Sequence, residues 1–225
     1  MTFLRLCRAG VIGDVHAEDE TLAAVLAFLK TVPSLDALLC TGDVVTGPGD
    51  AGRCCGLLRA AGVLTVRGNH DRWFFLDGYA DYFALSTPDQ EIAGADRTFL
   101  AGLPVTRAFD TSRGPLLLCH GLGDDDMASV YPGDEGHALE PNHRLHALVG
   151  AGAYRFIVNG HTHRRMIRAF DGLTVLNAGT LRADHQPGFL VADFEAGRAE
   201  CYNLSDTRQI SAGETFALPA PPRQE

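Results

Sequence analysis

Seven residues of metal-ligating type recur in closely similar surroundings. Asp14 and His16 stand in "GDVH" (13–16), Asp43 closes "TGD" (41–43), and Asn69 lies in "GNHD" (68–71). His120 opens "HG" (120–121), and His161 and His163 lie in "GHTH" (160–163). Carboxylate, amide oxygen and imidazole are the donors that hard and borderline divalent ions take, and no thiolate is among them. Seven donors are too many for one four-coordinate catalytic ion. They suit two ions that share a carboxylate and stand about 3.5–4 Å apart. Singly, none of these motifs is diagnostic, because a lone histidine is more often a hydrogen-bonded loop or core residue than a ligand. Their order, and what precedes each, makes them a set.

Each motif ends an apolar run of strand length: "AGVIGDVH" (9–16), "ALLCTGD" (37–43), "VLTVRGNHD" (63–71), "PLLLCHG" (115–121) and "FIVNGHTH" (156–163), with "LTVLNAGT" (173–180) as a sixth member. Short runs rich in Val, Ile and Leu and closed by Gly read as buried strands. Between the first three runs the spacing predicts helices over 18–31, where Leu22, Val25, Leu26 and Leu29 recur at helical intervals, and over 50–61, with Asp50 as cap. That order is β-α-β-α-β, which implies parallel neighbours joined by right-handed crossovers. Open α/β sheets bind ligands at the carboxyl ends of their strands, where all six polar sets would meet. Beyond residue 97 the pattern becomes short strands, expected over 98–103, 115–119, 155–159, 165–170, 173–177, 187–194 and 198–203, with one helix over 142–151. This predicts a second, mixed sheet packed on the first. Residues 121–141 read as an irregular loop over the same edge, and 211–225, with three prolines near the end, as a loose tail following a single domain over 1–210.

Composition excludes several classes. The chain has 225 residues, 46% hydrophobic, enough for one sizeable core. Net charge is −9, with one lysine (Lys30) and scattered arginines. A nucleic-acid polymer or an acidic membrane surface needs clustered cations, so neither is an expected partner. The six cysteines show no C-x-x-C spacing, and Cys40 and Cys119 sit in apolar runs, which fits reduced thiols. The longest apolar run, "LAAVLAFL" (22–29), is far short of the ~20 residues of a spanning helix, and the start shows no clean signal-peptide core. A cytoplasmic protein acting on a small molecule is the expectation.

The five motifs together resemble the calcineurin-like metallophosphoesterase superfamily, in its small bacterial phosphoesterase branch. They span about 150 residues, and the strand pattern extends the likeness along nearly the whole chain. The resemblance implies a four-layer α/β/β/α sandwich of two mixed sheets flanked by helices. It implies that Asp14, His16 and His163 hold one divalent transition-metal ion (Mn, Fe, Ni or Zn), that Asn69, His120 and His161 hold a second, and that Asp43 bridges them opposite a hydroxide. Counting charges, two divalent ions less Asp14, Asp43 and a hydroxide leave about one positive charge, which attracts a phosphate. The activity implied is hydrolysis of a phosphomono- or phosphodiester of a small substrate, nucleotides included, by attack of the bridging hydroxide. His70 resembles the family histidine that contacts the phosphate and protonates the leaving oxygen, with Asp71 as either the acidic neighbour orienting its ring or a structural cap of the loop.

"GDVVTG" lacks the Arg motif of the protein serine/threonine phosphatases, and "GNHD" ends in Asp where that branch has Glu, so that branch is disfavoured. Some members of the superfamily serve as assembly scaffolds without turnover; these usually lose ligands or the acid histidine, which this chain keeps. Arg67 and Arg182, at or just beyond strand ends, could clamp substrate phosphate through their forked donors. Asn177 in "NAGT" could brace a ligand or simply make a turn. His137, His143, His146 and His185 belong to no motif and read as surface or loop residues.

Overall fold

The computed structural model describes residues 5–76, 92 and 94–220. The chain changes sheets almost at once. β1 (Arg5–Leu6) lies in one six-stranded sheet and β2 (Arg8–Ile12) in the other, with Cys7 between them. From β2 the chain runs through α1 (Asp19–Leu29), β3 (Ala37–Cys40), α2 (Ala51–Ala60) and β4 (Leu64–Thr65). β2, β3 and β4 pair in parallel, Ile12 opposite Cys40 and Cys40 opposite Thr65, as the β-α-β-α-β pattern requires. Asp50 caps α2 by accepting from the Arg53 N–H at 2.8 Å. Glu18 precedes α1 without capping it, and its carboxylate accepts from the Ala183 N–H instead.

After the short α3 (Asn69–Trp73) come α4 (Gly94–Ala101), β5 (Thr106–Thr111), β6 (Gly114–Cys119), α5 (His143–Ala151), β7 (Phe156–Asn159), β8 (Met166–Phe170), β9 (Leu173–Asn177), β10 (Gly188–Asp193), β11 (Arg198–Leu204) and β12 (Ile210–Ala217). The sheet orders are β1-β5-β6-β7-β9-β8 and β12-β11-β10-β2-β3-β4. Both are mixed: β6, β7 and β9 are parallel in the first, while β10, β11 and β12 continue the second antiparallel.

Alternation along the strands builds the layers, because successive side chains leave a strand on opposite faces. Val11, Leu116, Leu118, Phe156 and Val158 meet between the two sheets. Ile12 and Cys40 turn the other way, onto Leu22, Val25 and Leu29 of α1 and Cys54 and Leu58 of α2. Leu117, Cys119 and Ile157 face Leu145 of α5. Three cores between four layers make the expected sandwich. Truncating a fully buried inter-sheet residue such as Leu118 to Ala would cost ~2–5 kcal/mol.

Two expectations need correction. Residues 98–103 are not a strand: Thr98, Phe99 and Leu100 belong to α4, where Leu100 is buried and Asp96 pairs with Arg59 of α2. A short apolar run does not distinguish strand from buried helix by period alone. The strand that pairs antiparallel with β6 is instead β5, 106–111. Nor is the chain loose from 211: Ser211–Ala217 continue β12, whose backbone pairs with β11. Its side chains are mostly exposed on both faces, so hydropathy did not mark it. Residues 221–225 lie outside the described residues. Among the described residues no helix is long and apolar enough to cross a membrane.

Candidate metal centre

The carboxyl ends of β2, β3, β6 and β7 and the start of α3 after β4 converge on one edge, and turns lock them together. Beyond β2, the Asp14 N–H donates to Gly179 O, and Asp14 O accepts from the Leu181 N–H and the Thr180 hydroxyl, which ties this sheet to the segment after β9 in the other. The Val15 and His16 N–H groups both donate to Asp43 O, at 3.1 and 2.7 Å. Four expected ligands sit in the left-handed region: His16 (φ +48°), Asp43 (+45°), His161 (+67°) and His163 (+56°). Such backbones cost of order 1–3 kcal/mol each and persist where surrounding contacts over-determine them, typically at functional sites.

The seven side chains meet in two overlapping groups. Donor atoms of Asp14, His16, Asp43 and His163 all lie within 4.8 Å of one another. His16 Nε2 is 2.9 Å from His163 Nε2 and 3.7 Å from Asp43 Oδ2, and His163 Nε2 is 3.5 Å from Asp14 Oδ2. In the second group Asn69 Oδ1 is 2.8 Å from His120 Nε2 and 3.0 Å from His161 Nδ1. His120 Nε2 is in turn 3.3 Å from the same Asp43 Oδ2. One carboxylate oxygen therefore faces a histidine of each group. Ligand atoms at right angles around an ion ~2.1 Å away lie about 3 Å apart, so these spacings are those of side chains gathered around shared cations.

The electrostatics fit the same group. Asp14 Oδ2 is fully buried and accepts no hydrogen bond. Burial, with Asp43 adding to it, pushes the Asp14 carboxyl up to about 7 despite the opposing His120 and Thr41. An anion so poorly compensated is what a bound cation would satisfy. Burial also lowers His16 to about 4 and His163 to about 3, which keeps both rings in the neutral form that ligates. Burial opposes the charged forms of Asp43 and His120 as well, but their mutual attraction prevails. Asp43 falls below the ordinary carboxylate range, and His120, flanked by Asp43 and Asp14, rises to about 10. The residues present therefore fit divalent ions.

A family model described as the calcineurin-like phosphoesterase superfamily domain matches residues 8–197. The chain belongs to that superfamily. Among curated proteins it is 24% identical to an uncharacterized protein of Methanocaldococcus jannaschii over 194 residues, 84% of this chain and 75% of that one. Among solved structures, a metallophosphoesterase of Sphaerobacter thermophilus superposes with a TM-score of 0.62 at 21% identity over 87% of each chain. Vps29 of Entamoeba histolytica does so at 0.56 and 20%, over 94% of this chain and 99% of that one. At these identities the structural matches speak for the fold. The superfamily typically binds divalent metals, and Asp14, His16, Asp43 and His163 form a candidate site for them here.

Around the superfamily motifs lies a layer of residues that their spacing did not single out. Thr41 donates its hydroxyl to Asp14 Oδ1 at 2.8 Å, while its carbonyl accepts from His120 Nδ1 at 2.8 Å, so one residue orients two expected ligands. Thr46 O holds His16 Nδ1 at 2.9 Å. Asn177 does not touch a ligand side chain. Its amide donates to Gly160 O and the Thr162 hydroxyl and accepts from the Gly179 N–H, which braces the "GHTH" turn. Two glycines are required by the carboxylates themselves: a Cβ on Gly68 would lie 2.1 Å from Asp43 Oδ1, and one on Gly160 would lie 2.0 Å from Asp14 Oδ1.

The remaining expected residues divide. His70 is where the motif puts it. Its N–H donates to Asp43 Oδ1 at 2.8 Å, and its half-buried ring packs edge-on, 5.1 Å from the His16 ring and 5.0 Å from the Trp73 ring. Burial lowers its pKa. Asp71 takes the loop-cap role. Its Oδ1 accepts from the Val44 and Val45 N–H groups and its Oδ2 from the Gly68 N–H. Both oxygens are engaged with backbone, so Asp71 ties the loop after β3 to the start of α3 rather than orienting His70. Arg182 is also committed: Asp184 fills its fork at 2.8 and 2.6 Å. Its charge still reaches the site as a lesser cause of the low pKa of His16 and His163. Arg67 is half-buried, and its guanidinium makes no ion pair among the described residues.

Two further residues border the site. His185 is exposed, as expected, and its ring packs edge-on against His163 with centroids 4.9 Å apart and pairs with Asp184. Asp126 of the 121–141 segment receives both Nε and Nη2 of Arg72, at 2.6 and 2.9 Å, which draws that segment to α3.

Proposed function

We propose that the protein is a dinuclear metal-dependent phosphoesterase that hydrolyses phosphomono- or phosphodiester bonds of a small substrate. The observation that carries this reading is Asp43 Oδ2, which stands 3.7 Å from His16 Nε2 and 3.3 Å from His120 Nε2. Asp14, His16, Asp43 and His163 would hold one ion, and Asn69, His120, His161 and the shared Asp43 the other. Two divalent ions there supply Lewis acidity to phosphate oxygens and an acidified water as nucleophile at neutral pH.

The chain's own residues contribute position and a proton. The Asp43 carboxylate is clamped on its Oδ1 by the His70 N–H, so the shared ligand and the acid are fixed to each other by one hydrogen bond. The His70 ring lies at the rim of the cluster, close enough to His16 to reach a phosphate seated there. Burial favours its neutral form, and an arriving phosphate anion would favour the protonated one, so the ring would charge when it has a leaving oxygen to protonate. The net charge of −9 speaks for a small substrate rather than a nucleic-acid polymer.

A metal-binding scaffold is the second reading, because the fold is shared with a vacuolar sorting protein. The test strips the protein with chelator, restores Mn²⁺, Fe²⁺, Ni²⁺ or Zn²⁺, and offers p-nitrophenyl phosphate and its bis-ester. Turnover of either is expected, and none with any metal would leave the scaffold reading. His70→Ala should keep its metal and lose most on alkoxide leaving groups; loss of metal would instead make His70 a ligand.

A further inference from the structure

A cavity of about 310 Å³ opens beside the candidate metal centre, with His163 as the common wall. Its lining includes Arg164 and Arg165, which follow the "GHTH" turn, Gln186 before β10, and Glu214 and Phe216 from β12. Two arginines and one glutamate stand in its lining, an excess of one positive charge on a protein whose net charge is −9.

The two arginines differ in a useful way. Arg165 is held in place by neutral acceptors, Asn203 Oδ1 at 2.7 Å and Tyr202 O at 3.2 Å, with no ion pair to a carboxylate among the described residues. Arg164 is exposed and anchored through its backbone N–H to the Thr162 hydroxyl. Its guanidinium makes no hydrogen bond or ion pair among the described residues. Arg182, by contrast, has its fork closed by Asp184. Arg164 thus keeps its planar donors available next to the centre, with Arg165 fixed beside it as a second positive charge, and forked guanidinium donors match phosphate and carboxylate oxygens.

We infer that this cavity binds a second anionic group, phosphate or carboxylate, carried by the substrate beyond the scissile phosphate. The inference rests on the phosphoesterase reading and narrows its substrate class to phosphoesters with two anionic groups. Glu214 sets a limit on that preference by repelling the second anion. β12 thus forms part of the specificity wall through Glu214 and Phe216.

The test compares matched substrates on the metal-loaded protein: adenosine 3′,5′-bisphosphate against adenosine 5′-monophosphate for a second phosphate, and 3-phosphoglycerate against glycerol 3-phosphate for a carboxylate. p-Nitrophenyl phosphate serves as reference. The doubly anionic member of at least one pair should show kcat/KM higher by about ten- to a hundredfold, the span of one or two charge-assisted hydrogen bonds. Arg164→Ala should collapse that ratio through KM, Arg164→Lys should restore part of it, and Glu214→Gln should raise it. The pair that responds separates phosphate from carboxylate. Equal kcat/KM within both pairs, or a ratio that Arg164→Ala leaves intact, overturns the inference while the phosphoesterase reading stands. No turnover of the reference with any metal sinks that reading and this inference with it.

Discussion

Replacing Gly68 by Ala isolates the placement of Asp43 from every other property of the centre. The backbone of Gly68 is extended (φ −87°, ψ 176°), so alanine meets no conformational obstacle there. By restricting the unfolded chain it would even stabilise by ~0.4–1 kcal/mol. The obstacle is steric. The new Cβ would lie 2.1 Å from Asp43 Oδ1, 2.4 Å from Asp43 N and 2.8 Å from Cγ, where ordinary contact begins near 3.4 Å. Asp43 must therefore recede by more than 1 Å. It cannot swing freely, because Oδ1 holds the His70 N–H and Oδ2 lies between His16 and His120. Overpacking of this kind costs ~1–3 kcal/mol, about a third of it offset by the alanine gain, so the fold should survive. A misplacement of ~1 Å at a reacting centre costs about a hundredfold in rate. Gly68→Ala should thus lower kcat/KM for p-nitrophenyl phosphate at saturating metal by about a hundredfold, with bound metal after gel filtration reduced. Gly56→Ala in α2, whose Cβ meets nothing within 4 Å, is the control and should raise the Tm slightly. A Gly68→Ala protein with full metal content and full activity would refute the claim that Asp43 is placed by this contact.

Three further outcomes follow from the same geometry. Asp71→Asn removes at least one acceptor from the buried N–H groups of Gly68, Val44 and Val45, so it should destabilise by ~1–3 kcal/mol in chemical denaturation and leave the pH profile of the residual activity unmoved; a shifted profile would return Asp71 to a role at His70. Thr41→Val keeps the carbonyl that orients His120 but deletes the hydroxyl on Asp14, and should weaken metal binding about ten- to a hundredfold in a competition titration with a chelating dye. Metal loading near pH 7 should release at least one proton, measured by calorimetry in buffers of different ionisation heat, because His120 is raised to about 10 and Asp14 to about 7 in the metal-free protein and both must lose protons to serve. Affinity should rise with pH through this range and show no competition from His16 or His163 above about pH 5, since both already titrate near 4 or below.

The expected ligands were legible because each ends an apolar run, and the carboxyl ends of strands in such sheets share one edge. The layers were legible for a related reason: runs such as "PLLLC" alternate between two buried faces and so read as strands covered on both sides. What spacing could not convey was direction. His70 and Asp71 are neighbours in sequence, but successive helical residues point about 100° apart. Asp71 at the third position of α3 therefore closes back on the Gly68 N–H while His70 faces the cluster. Thr41 carries no signal because a threonine at a strand end is ordinary, and its value lies in a hydroxyl and a carbonyl aimed at two ligands far apart in the chain. Likewise, nothing local in "RADHQ" brings His185 to His163. β12 escaped notice because it is held by backbone pairing at a sheet edge and buries few side chains.

The central claim is that Asp43 Oδ2 is shared by two cations. Anomalous diffraction at the manganese edge from crystals grown in Mn²⁺ tests it most directly. The account predicts two peaks about 3.5–4 Å apart, one against Asp14, His16 and His163, the other against Asn69, His120 and His161, with Asp43 Oδ2 touching both. A single peak, or two that Asp43 does not join, would contradict it.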